Sequence, residues 1–259
     1  VTTHLVIPDS HAHPNYSNER AHWLGKLIHD VNPDVIINIG DGADLPSLAS
    51  YEKGTRAAIG RTYSADIAAH CDFLDKVHWE LRKHKKKLPR RVYLIGNHEF
   101  RITKAINVQP ELEGAISLKD LQLDKYYNEV VDYEGNTPGS ITIDGITYAH
   151  YFVSGVMGRG ISGEHPAYSL ITKQLSSATQ GHIHTLDFCQ RSNAHGRKVN
   201  GLVCGVYQDY DAPWAGEVNK LWWRGVVVKH NVEDGNYDPE FISIDRLKKV
   251  YGNDSQRGN

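Results

Sequence analysis

Apolar positions in the first hundred residues switch between two periodicities. Residues 4–8 (HLVIP) are a short β-branched run that ends at Asp9, and residues 34–39 (DVIINI) are a continuous apolar run that ends at Gly40-Asp41. Runs of this kind fit strands buried on both faces. Between them, Trp23, Leu24, Leu27, Ile28 and Val31 recur at helical spacing, with Ser17 or Asn18 placed to cap the helix and Pro33 to stop it. Ser64 opens a second helical stripe of Ile67, Cys71, Leu74, Val77 and Leu81, which Pro89 ends. Residues 91–95 (RVYLI) predict the next strand, running into Gly96-Asn97-His98. The second half is richer in strands. A hairpin is expected over residues 140–151 around Asp144-Gly145, with strands over 201–207, 221–232 and 240–244 and a helix over 167–175. No repeat, low-complexity linker or composition break divides the chain. The expectation is one domain over residues 1–259, of α/β (α+β) class, with two packed sheets flanked by helices.

Composition changes this picture little. The chain is 40% hydrophobic and 23% charged, which excludes a disordered or collagen-like polymer. Lys and Arg number 29 against 31 Asp and Glu, so a net charge of −2 supplies no global attraction for nucleic acid. No apolar run approaches the ~18–20 residues of a membrane helix. The first residues show no basic-then-apolar leader pattern. Cys71, Cys189 and Cys204 are odd in number and form no CxxC, which argues against a disulfide framework and thiolate metal sites. The expected setting is cytoplasmic, without a membrane partner. The unusual figure is 15 histidines.

Many of them stand where a strand ends and a loop begins. The clusters are Asp9-Ser10-His11, Gly40-Asp41-Gly42-Ala43-Asp44, Gly96-Asn97-His98-Glu99, His150 after ITYA, and Gly181-His182-Ile183-His184. Loops past the carboxyl ends of strands are where α/β sheets hold ligands. In extended chain, residues i and i+2 point the same way, so Asp9 with His11 and His182 with His184 are each expected to face one cavity. Gathering so many polar groups without a counter-charge would be costly, and a metal centre removes that cost. A mixed Asp, His and Asn set without Cys suits borderline divalent ions such as Mn, Fe, Zn or Ni.

The ordered pattern D-x-H, G-D-x-x-D, G-N-H-[ED], H, G-H-x-H resembles that of the calcineurin-like metallophosphoesterases. It stands here as DSH, GDGAD, GNHE, His150 and GHIH across residues 9–184. The resemblance implies a four-layer αββα sandwich and two divalent metal ions, with Mn leading. It assigns Asp9, His11, Asp41 and His184 to one ion and Asp41, Asn97, His150 and His182 to the other. It also implies that His98 is the general acid and that Asp44 orients it, during P–O hydrolysis by a metal-bridging hydroxide. Leu45-Pro46 and Ile95 depart from the protein phosphatase branch, and the GHIH…GRKVNGLVCGVY region is similar to phage and prophage members. The leading substrate is therefore a phosphodiester of a nucleotide or nucleic acid. A phosphomonoester is the alternative, and a non-catalytic scaffold, which would typically lose ligands, is the rival.

Other signals are weaker. Residues 158–163 (GRGISG) match a dinucleotide-binding spacing but lack its βαβ context, so a flexible loop beside the site is expected, with Arg159 as an outer phosphate contact. Arg101, just past GNHE, is a second candidate phosphate contact, and Lys53, Arg56 and Arg61 lie on the loop after GDGAD. The basic run 83–91 reads as a solvated helix end. His13 is placed as a further ligand or an outer partner, and Trp222-Trp223 as a strand pair with one ring in the core.

Overall fold

The computed structural model describes residues 1–83 and 87–252. In chain order it runs β1 (Thr2–Ile7), α1 (Glu19–Val31), β2 (Val35–Asn38), α2 (Tyr63–Lys83), β3 (Arg90–Leu94), α3 (Phe100–Val108), α4 (Leu123–Tyr126) and β4 (Glu129–Val131). A small ribbon, β5 (Tyr133–Glu134) and β6 (Thr137–Pro138), precedes the hairpin β7 (Ser140–Ile143) and β8 (Ile146–Ala149). A second ribbon, β9 (Val153–Ser154) and β10 (Arg159–Gly160), leads to α5 (Pro166–Gln174). The chain closes with β11 (Ser177–Gln180), β12 (Leu186–Ser192), β13 (Lys198–Cys204), β14 (Gly225–Glu233), β15 (Asn236–Ser243) and α6 (Ile244–Tyr251).

These strands make two mixed sheets. One has the order β15-β14-β1-β2-β3-β4, parallel from β1 to β4; the other has the order β12-β13-β11-β8-β7, parallel from β13 to β8. Strand pleating splits the apolar side chains between layers. Val6, Ile37, Val92 and Leu94 meet Ile146, Tyr148, Leu202 and Cys204 between the sheets. On the outer face of the larger sheet, Leu5, Ile36 and Tyr93 pack with Leu24, Ile28, Phe73, Val77 and Leu247 of α1, α2 and α6. Ala149 and Ala178 of the smaller sheet pack under Leu170 of α5. The result is a mixed α/β sandwich: helices, sheet, sheet, helix. Among the described residues, no helix is long and apolar enough to cross a membrane. All three cysteines are free.

Several sequence expectations are revised at element ends. The strand expected over 221–232 begins only at Gly225, because Pro213–Leu221 forms two 3-10 turns that meet at a kink at Gly216. Trp222 and Trp223 follow that helix and are both half-buried; the Trp223 N–H donates to the His184 carbonyl at 3.0 Å. The strand expected over 201–207 ends at Cys204, where Gly205 turns to φ 81°. Residues 158–163, expected as a flexible loop, include the return strand of the β9–β10 ribbon. Ser243 caps α6, which the sequence reading does not include. Asn18 makes no cap; its amide donates to Ala69 O and Asp72 Oδ2, tying α1 to α2. Residues 84–86 of the basic run lie outside the described residues.

His70, on α2, is fully buried beside Gly42 and Tyr93. Burial pushes its pKa down from 6.5 to about 4. The unfolded chain binds this proton more readily, so the contribution to stability is complete above pH 6.5 and is lost as pH falls toward 4. The loss reaches about 3 kcal/mol. Denaturant titrations at pH 7.5 and 4.5 are expected to show this loss, and His70→Leu to remove that part of it. Equal pH dependence in the variant would contradict the assignment.

Candidate metal centre

The carboxyl ends of β1, β2 and β3 in one sheet and of β8 and β11 in the other open onto the same place. Asp9 bridges to Val206, while His11 N–H donates to Asp41 O at 2.9 Å and Ala12 N–H to Gly42 O at 2.8 Å. These backbone bonds hold the first two loops edge to edge. The convergence of side chains does not come from extended i, i+2 spacing. His11, Asp41, His182 and His184 have φ of 41°, 49°, 70° and 60°. Left-handed backbone at non-glycine residues is sparsely populated and clusters where function demands a particular side-chain direction. Each pair of candidate ligands is therefore turned into the cavity by its own loop, which corrects the strand-based expectation.

Two groups of donors result. Asp9, His11 and His184 place their ligand atoms within 4.8 Å of one another, as do Asp41, His150 and His182; His11, Asp41 and His98 form a third such group. His11 Nε2 and His184 Nε2 face each other at 3.1 Å, with Asp9 Oδ2 3.2 Å from the latter. In the second group His150 Nδ1 donates to Ile39 O at 2.9 Å, which leaves Nε2 directed at Asn97 Oδ1 at 2.9 Å and Asp41 Oδ2 at 3.3 Å. Oxygens and ring nitrogens that face one another so closely need a cation, proton or metal, between their lone pairs. Asp9 Oδ1 is buried and has no hydrogen-bond partner among the described residues. Two carboxylates, four imidazoles, one amide oxygen and no thiolate make a donor set that fits two borderline divalent ions.

Charge within the protein is balanced locally. Burial raises the Asp41 carboxyl, but the facing His150 and His98 outweigh it and hold Asp41 well below the usual carboxylate range. Burial lowers His150, yet Asp41 and Asp9 push it up to about 9. Asp44 is held well below its ordinary value because hydrogen bonds with His11 and His98 outweigh burial. Its Oδ1 lies 3.2 Å from both His11 Nδ1 and His98 Nδ1, so it steadies two imidazoles rather than His98 alone. His98 Nδ1 also donates to the Asp44 carbonyl at 2.7 Å, and Arg101 Nη2 donates to His98 Nε2 at 2.9 Å.

The structure thus brings together Asp9, His11, Asp41, Asn97, His150, His182 and His184 with His98, Asp44 and Arg101. Arg159 is exposed on the β9–β10 ribbon and makes no hydrogen bond or ion pair with any of them among the described residues. His13 Nε2 stands 3.8 Å from Asp44 Oδ2, as an outer partner. Trp222 packs edge-on against His184 at 4.4 Å.

Two supporting residues carry no role in the sequence reading. Glu99, fully buried, accepts N–H bonds from Asp41, Ala43 and Gly96 and the Tyr93 hydroxyl, at 2.8–3.0 Å. Its position inside GNHE is the available signal. Arg20, also fully buried, donates to Ser10 O at 2.8 Å and Tyr207 O at 3.2 Å and so braces the loop between Asp9 and His11. The signal there is an arginine four residues before Leu24 on an apolar stripe. Gly96 and Gly181 are required by close approach, since a Cβ would collide with Asp41 and Asp9 respectively.

No protein-family model matches the chain, and no curated protein matches it.

Proposed function

We propose that this protein is a dinuclear metal-dependent phosphoesterase of calcineurin-like type, acting on a phosphodiester of a nucleotide or nucleic acid. The observation that carries the reading is the pair of donor groups whose lone pairs face one another, linked through Asp41 and fed by loops from both sheets. The layered mixed sandwich and the ordered motif support the same reading. Asp9, His11, Asp41 and His184 would hold one ion, and Asp41, Asn97, His150 and His182 the other, with manganese the leading choice. When bound, such ions offset charge on phosphoryl oxygens and lower the pKa of a coordinated water.

The chain's own groups do the rest. His98 sits at the edge of this cluster with Nδ1 fixed on Asp44, so Nε2 is the atom that gives a proton to the leaving oxygen. Arg101 covers that nitrogen. In this arrangement Nε2 accepts from Arg101 and carries no proton. A phosphate oxygen that draws the guanidinium toward itself frees Nε2 to take up a proton from water, and the imidazolium so formed, held by Asp44, is the group that gives it to the leaving oxygen.

The test pairs metal analysis with hydrolysis of bis(p-nitrophenyl) phosphate and p-nitrophenyl phosphate, each with added Mn, Ni, Zn and Mg. The expected result is diester turnover that requires metal. His98→Ala is expected to lower kcat about 10²–10⁴-fold while the metal content stays at the wild-type value. Monoester turnover alone would redirect the substrate to phosphomonoesters. Bound metal without either activity would overturn the catalytic reading.

A further inference from the structure

A cavity of ≈ 350 Å³ adjoins the metal centre at the corner where Asp44 holds His11 and His98; Asp44, His11 and Arg101 form part of its wall. Arg101, which donates to His98 Nε2, stands in its wall, so the cavity lies next to the nitrogen that would serve the leaving group. Its remaining walls are of two kinds. Tyr51, Trp214 and Tyr210 stand in its wall, and Tyr210 is fixed by stacking on Tyr16 at 3.8 Å with planes 6° apart. The Tyr210 hydroxyl is further tied to the His11 carbonyl at 2.6 Å. The same wall holds charged groups of both signs: Glu52 paired with Arg61, the buried Asp66, and Arg101, whose guanidinium lies 5.8 Å from the Tyr51 ring centre.

This wall chemistry selects among occupants. With Glu52 neutralised by Arg61, the carboxyl groups of Asp44 and Asp66 are left to oppose a second phosphate or an acidic peptide. Flat aromatic faces favour a planar group, and adjacent donors and acceptors favour one whose edge carries both. The volume admits one nucleoside and is too small for a base-paired duplex. We infer that the cavity is a nucleobase subsite: it receives a single nucleoside unit of the substrate, stacked against Tyr51 and Trp214, with Arg101 directed to the phosphate at its mouth. This rests on the phosphoesterase reading for the direction of the leaving group, but base binding itself can be measured without turnover.

The experiment is calorimetric titration of the full chain with the four common nucleoside 5′-monophosphates and with ribose 5-phosphate, in EDTA so that ligand is not consumed. At least one nucleotide is expected to bind about tenfold tighter than ribose 5-phosphate. Tyr51 and Trp214 are 62% and 57% exposed, so alanine at either removes no core packing. Tyr51→Ala and Trp214→Ala are each expected to weaken nucleotide binding about tenfold and to leave ribose 5-phosphate binding as it was. Equal affinity for all five ligands, or variants that bind like wild type, would overturn the subsite. Wild-type hydrolysis of bis(p-nitrophenyl) phosphate separates the two readings. Turnover without base preference removes the subsite alone, whereas base-dependent binding in a protein with no phosphoesterase activity keeps the subsite and removes the enzyme.

Discussion

Asp41→Asn is expected to abolish hydrolysis and to strip metal from both positions. Asp41 is 1% exposed and, among the described residues, is the one carboxylate that belongs to two donor groups, with His150 and His182 on one side and His11 and His98 on the other. Its Oδ2 lies 3.3 Å from His150 Nε2 and 3.7 Å from His98 Nε2, while Oδ1 accepts the His98 N–H at 2.8 Å. Asparagine keeps the shape and can keep that last bond. It removes the charge that offsets His150 and that would be shared between two cations. The expected fall in kcat/KM is on the order of 10³-fold or more, with metal content reduced at both positions. Elemental analysis and steady-state kinetics on one preparation check it. A variant that still holds two ions and turns over at the wild-type rate would show that Asp41 does not join the two groups.

The second large effect is expected in stability, from Glu99→Gln. Glu99 Oε1 receives the Ala43 N–H and the Tyr93 hydroxyl, and Oε2 receives the Asp41 and Gly96 N–H groups. Three of the four are backbone N–H groups that can only donate, and each oxygen receives at least one, so the amide NH₂ of glutamine faces a donor whichever way it is turned. Burial raises the Glu99 pKa and Asp41 adds to the rise, yet the bonds from Ala43 and Gly96 oppose it. The site is built to receive hydrogens. Two unsatisfied buried donors cost about 2–4 kcal/mol. For a chain of this size that corresponds to a fall in Tm of roughly 5–15 °C. Because Glu99 sets the Asp41 loop against the Gly96 turn, weaker metal binding is expected alongside. Denaturant unfolding of both proteins decides it: a difference below about 1 kcal/mol would mean that the four contacts are not what holds the loop.

Much of the fold is legible in the chain because local physics writes it there. The stripe Trp23, Leu24, Leu27 and Ile28 can bury only as one face of a helix, and α1 does so. Asp144-Gly145 adopts φ 48° and 81°, the turn that closes a two-residue hairpin, and β7 and β8 pair across it. Ends and short elements are less legible, because they depend on partners distant in sequence. β14 starts at Gly225, after a 3-10 segment and a Trp223 N–H that donates to the His184 carbonyl, and the Asn18 side chain bonds to α2 instead of capping α1. For the candidate site, the residue types and their order along the chain, Asp9 to His184, were readable, since each cluster sits at the end of a recognisable apolar run. What only the tertiary structure decided is how those residues meet. Parallel pairing of β1, β2 and β3, and of β8 and β11, brings His11 against His184 from 173 residues away, and left-handed turns at four candidate ligands aim them inward. The division of labour within the site follows from that meeting. Asp44 holds two imidazoles, Arg101 covers His98, and Glu99 and Arg20 brace the loops from beneath, all through contacts that no local periodicity encodes. Sequence specifies which groups are present and which elements carry them; the distances that make them a site exist only once the sheets have paired and packed.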